Sequence, residues 1–126
     1  MPKTVMNIGN GATIENMVVA DVIQGSFNKI GASGASDDLK MLLEGLTREV
    51  GIMAGQLERD RAEELAEDLR VFIEQAIKEK PRKKFWQPSA EGIKEAAKTV
   101  GEIGLYALKN LDKIIPVLEK LSVLSS

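Results

Sequence analysis

The chain has 126 residues, 44% hydrophobic and 29% charged, with a net charge of −2 and neither cysteine nor histidine. This composition excludes disulfides, thiolate metal sites and any chemistry built on a His or Cys nucleophile or base. One domain of this size buries roughly two-thirds of its unfolded surface, and with only Phe27, Phe72, Phe85, Trp86 and Tyr106 as aromatics its core must rest on Leu, Ile, Val and Met.

Composition changes at Ser36. Residues 1–36 carry four charges (Lys3, Glu15, Asp21, Lys29), and residues 37–126 carry all the others. Thr4-Val5-Met6-Asn7-Ile8 reads as a strand, Gly9-Asn10-Gly11 as a tight turn and Ala12–Ile23 as a second extended stretch with the β-rich core Met17-Val18-Val19-Ala20-Asp21-Val22-Ile23. Residues 18–29 are also compatible with a helix. As a ribbon, the segment would be apolar on both faces, with Ile14, Val18, Ala20 and Val22 on one and Met17, Val19, Ile23 and Phe27 on the other. A two-faced ribbon needs cover on both sides, and open strand edges invite pairing between copies. Met17, Val18, Val19, Val22, Ile23 and Phe27 are therefore the candidate partner interface. Gly31-Ala32-Ser33-Gly34-Ala35 reads as a flexible linker. On this reading, deleting residues 1–30 leaves a folded helical body with a lower oligomeric state. Gly9-Asn10-Gly11 also matches the start of a dinucleotide fingerprint, but Ile14 stands where the third glycine belongs and no βαβ unit follows.

From Ser36 the pattern turns helical. Ser36 is a candidate N-cap ahead of Asp37 and Asp38, and Leu39, Leu42, Leu43, Leu46, Val50, Met53 and Leu57 recur at steps of three or four, predicting a helix over 37–58. Asp60 with Glu63 reads as a capping box for a second helix whose stripe is Leu65, Ala66, Leu69, Phe72, Ile73, Ala76 and Ile77. The short gap between them makes a helical hairpin. Glu63, Glu64, Glu67 and Asp68 gather at the start of that second helix, which is what the helix dipole favours and, without histidine or a calcium loop, is not a metal signature.

Lys80-Pro81-Arg82-Lys83-Lys84-Phe85-Trp86-Gln87-Pro88 is the sharpest local cluster. Pro81 should end the second helix, with Ser89 capping a third. Lys80, Arg82, Lys83, Lys84, Phe85 and Trp86 form a candidate ligand or partner loop. They could hold a phosphate backbone and stack a base, or the aromatics could plug the bundle while the cations stay in water. Beyond it, Ile93, Ala96, Ala97, Val100 and Ile103 continue the helical pattern. A break is expected near Gly101–Gly104 or at Asn110, and Pro116 should stand near a helix start or at a kink. Leu42, Leu46, Leu69, Phe72, Ile73, Ile93 and Leu118 should share one core.

Charge is uneven along this body. Residues 37–79 hold twelve acids and six bases, and residues 80–126 hold nine bases and five acids. Either the two halves neutralise each other within one chain, or they attract head to tail between copies.

The stretches Met17–Asn28, Lys78–Trp86 and Ser89–Ala97 together resemble small bacterial modules that occur alone or attached to signalling and defence-type proteins with effector or NTPase domains. The resemblance implies an accessory or adaptor role and brings no site residues with it. The expected class is α+β: a β-rich arm and linker over 1–35, then a mostly antiparallel bundle of three to four helices over 36–126. The expected function is a non-enzymatic oligomerisation or adaptor module. It would self-associate and bind a protein partner in the cytoplasm, with no cofactor, metal or catalytic residue, and no run reaches the ~18 apolar residues of a membrane span. The alternative is nucleic-acid binding through residues 80–86.

Overall fold

Asn16 decides the architecture of the N-terminal third. Its side-chain oxygen accepts hydrogen bonds from the backbone N–H groups of Val18 (2.9 Å) and Val19 (3.2 Å), capping a helix, α1, over Met17–Ala32. In the computed structural model, which describes residues 6–9 and 12–125 with the side chains of residues 14–122, four more helices follow: α2 (Asp37–Ala54), α3 (Arg59–Ala76), α4 (Lys83–Thr99) and α5 (Glu102–Ser125).

The expected α+β class and its β-hairpin arm are thus corrected to a bundle of five helices. The β-branched run from Val18 to Ile23 is helical because Val19, Ile23, Ser26 and Ile30 fall at helical spacing on one face, and all four are buried. Extended backbone among the described residues is confined to β1 (Met6–Gly9) and β2 (Ala12–Ile14), a short antiparallel pair whose Ile14 is buried. Thr4, Val5, Asn10 and Gly11, on which part of the expected strand and turn fell, lie outside the described residues. The expected linker is also corrected: Gly31 and Ala32 belong to α1, leaving residues 33–36 as the connector.

Short connectors make successive helices double back. Residues 33–36 join α1 to α2, residues 55–58 join α2 to α3, and Val100 and Gly101 join α4 to α5. Gly101 closes that last turn with φ of +69°, the left-handed conformation common just past a helix end. α1 packs on α2 and α3, α3 on α4, and α5 on α2 and α4. The starts of α1, α3 and α5 therefore share one end of the bundle with the ends of α2 and α4. The α1–α2 and α3–α4 connectors and the close of α5 share the other.

The core runs the full length of the bundle. Leu46, Leu69, Phe72, Ile73, Ile93 and Leu118 are fully buried, and Leu42 is half-buried at its edge. Several expected boundaries move. α2 stops at Ala54. The Asp60–Glu63 capping box does not form: Glu58 is the N-cap of α3, without a side-chain cap bond, and Glu63 instead accepts from Arg59 (3.2 Å) and Asn16 (3.1 Å). α4 begins at Lys83, six residues before the expected cap at Ser89, and takes Pro88 into its second turn. The chain break falls at Gly101, and α5 runs on through Asn110 and Pro116.

Candidate functional site

The helix start at Lys83 is held by Trp86. Its indole is 1% exposed, meets Phe72 edge to face at 6.5 Å between ring centres, and donates from Nε1 to the Ser122 hydroxyl at 3.1 Å. Burying so large a ring outweighs the hydrogen bond that Pro88 cannot make to the Lys84 carbonyl. The basic-aromatic cluster is therefore split. Trp86 has no free face for a base, while Lys80, Arg82, Lys83, Lys84 and Phe85 stay exposed. Lys84 lies over the Phe85 ring at 5.1 Å, and Lys83 pairs with Glu119 of α5 at 3.0 Å.

The candidate arm interface divides in the same way. Val19 and Ile23 are 0% exposed inside the chain's own core, and Val22 and Phe27 are half-buried, Phe27 under the Arg48 guanidinium at 6.0 Å. Only Met17 (56%) and Val18 (50%) face outward. They sit on the first turn of α1 beside Glu15, Asn16 and the start of α3. Sequence reading missed a second exposed pair, Leu105 and Tyr106, on the first turns of α5. The signal was present: the buried stripe of α5 runs Gly104, Ala107, Leu111, Ile114, Leu118, which leaves both residues on the other face.

The other end of the bundle carries a groove of about 600 Å³ walled by Ala35, Leu39, Ala76, Ile77, Val117 and Leu121, with Lys78 and Glu79 at its rim. Its residues come from three separate stretches, so no local motif marks it.

Between α3 and α4 lies a more polar cleft of about 400 Å³ containing Arg61, Glu64, Asp68, Glu95 and Thr99. Gly92 leaves room here for the Asp68 carboxylate: a Cβ on it would stand 2.2 Å from that group as it is placed. Burial pushes the Asp68 carboxyl above its ordinary value, and the neighbouring charges of Glu64 and Glu67 add to the effect. The other carboxylates at the start of α3 are differently occupied. Glu67 is bound by Arg70 and held low by that hydrogen bond, and Glu63 by Arg59 and Asn16. The Thr99 hydroxyl is committed to the Ala96 carbonyl at 2.7 Å. Glu49, on α2 near Tyr106, is also raised by burial, against the attraction of Arg48. The cleft thus brings a carboxyl raised by burial beside a hydroxyl already committed to the backbone.

None of the ion pairs among the described residues joins 37–79 to 80–126; they lie within α3 or between it and its N-cap Glu58, within α4, or join α1 to α3 and α4 to α5. No helix among them is long and apolar enough to cross a membrane. No family model, curated protein or solved structure matches the chain.

Proposed function

We propose that this chain is a non-enzymatic interaction module that self-associates and serves as an adaptor, the role that the resemblance to bacterial accessory modules also implies. The observation that supports it is the pairing of exposed large apolar side chains at one end of the bundle. Met17 with Val18, and Leu105 with Tyr106, stand half in water or more while the stripes beside them are fully buried. Isolated exposed apolar residues are ordinary on a protein surface, but two adjacent pairs on one end of the bundle are what a docking face requires.

Sedimentation velocity over a concentration series tests this reading directly. A mass that climbs above that of the protomer supports it. A strict monomer at high micromolar concentration removes the self-association half. Tight, salt-sensitive binding of single-stranded nucleic acid through Lys80, Arg82 and Lys84 would favour the alternative instead.

A further inference from the structure

We infer that copies of this chain associate head to tail, with Met17 and Val18 of one copy seated in the groove between α2, α3 and α5 of the next. The inference rests on the interaction role proposed above and names its two faces.

The occupant is argued from charge. Glu15, Asp21 and Asp60 lie on the turns around Met17 and Val18 and in the opening turn of α3, and none of them has an ion-pair partner among the described residues. Arg59, the nearest cation, is held by Glu63. At the opposite end Lys78 stands on the groove rim, and Lys80, Arg82 and Lys84 follow it along the α3–α4 connector and into α4. These four also form no ion pair among the described residues. Glu79, Asp37 and Asp38 share that end, so its positive character comes from the connector beside the groove. An apolar pair framed by free carboxylates thus has its complement in an apolar groove flanked on its connector side by free cations, which outnumber the unpaired acids Glu79, Asp37 and Asp38 at that end, and within one chain the two are separated by the length of the bundle. Opposite charges of this kind steer encounter and fix register, while the apolar contact supplies the affinity. Because the faces differ, the contact is heterologous and propagates into a chain of copies unless its rotation closes a ring.

The test uses full-length protein and light scattering on a sizing column. One variant carries Met17→Asp with Val18→Asp, and a second carries Lys78→Glu, Lys80→Glu and Arg82→Glu. All these positions lie on the surface or at the groove rim, and unchanged circular dichroism confirms folding. Each variant alone is expected to elute as a protomer. An equimolar mixture should form a dimer and nothing larger, since each partner keeps one good face. As a check free of apolar changes, Glu15→Lys with Asp21→Lys should abolish association, and adding Lys80→Glu and Arg82→Glu to the same chain should restore it. The assignment is overturned if the wild type associates but Met17→Asp with Val18→Asp leaves it unaffected, if mixing restores nothing, or if Leu105→Asp with Tyr106→Asp alone abolishes association. In those cases the self-associating role survives and only its faces are wrong. A wild type that never associates overturns both.

Discussion

Two glycines show how position decides what the same residue does. Gly25 is inside α1, and a Cβ there would meet nothing within 4 Å. Gly25→Ala should stabilise the protein by about 0.5–1 kcal/mol, the helix-propensity difference, and raise the thermal midpoint. At Gly104 a Cβ would lie 1.9 Å from the Ala97 backbone carbonyl oxygen, where α5 leaves α4. Gly104→Ala gains the same propensity but must push two helices apart, at a cost of ~1–3 kcal/mol or more. Its midpoint should fall, and equal shifts for both variants would show that this close approach is absent. Asp68 gives a pH-dependent case. Its carboxyl is raised in the folded state, so the folded chain holds that proton more tightly than the unfolded one, and ionised Asp68 lowers stability above its native pKa. Asp68→Asn should therefore raise the midpoint at neutral pH, and its advantage over wild type should shrink as pH falls through that value towards ~4. An advantage constant with pH would assign the effect to packing instead.

α1 carries the largest change in interpretation at the scale of an element. Its run of β-branched residues satisfies strand and helix patterns equally, because a short apolar stretch has residues for both faces of either. The competition is settled by neighbours. α2 and α3 offer a trough that accepts Val19, Ala20, Ile23 and Ile30, and Lys29 reaches Glu74 of α3. Removing residues 1–30 would strip that face from both helices. The truncated protein should lose cooperative thermal unfolding and much of its circular dichroism per residue, contrary to the expectation of an independent body. If it unfolds as sharply as the full chain, α1 is a separable arm after all. The same logic places α4. Local rules start it at Ser89, and the buried Trp86 draws the start back to Lys83 against the preference of Pro88.

For the whole molecule, charge acquires a direction that differs from the division between 37–79 and 80–126. Glu15, Asp21 and Asp60 stand at one end, and Lys78, Lys80, Arg82 and Lys84 stand at the other beside Asp37, Asp38 and Glu79. The acidic and basic halves form no ion pair with each other among the described residues to cancel it. The helical periodicity from Leu39 onward, the Ser36 cap and the core stripes of α2 and α3 could be read from residue order alone, and the break was narrowed to Gly101–Gly104 or Asn110, because 3.6-residue spacing and capping are local properties. So could the basic segment 80–86. Three things could not. Residues 17–32 became a helix, Trp86 went inside, and Ala35, Leu39, Ile77, Val117 and Leu121 came together as a groove. Each depends on which surfaces meet across long sequence separations, and burial against a distant partner outweighs the fraction of a kilocalorie per residue by which local preferences differ.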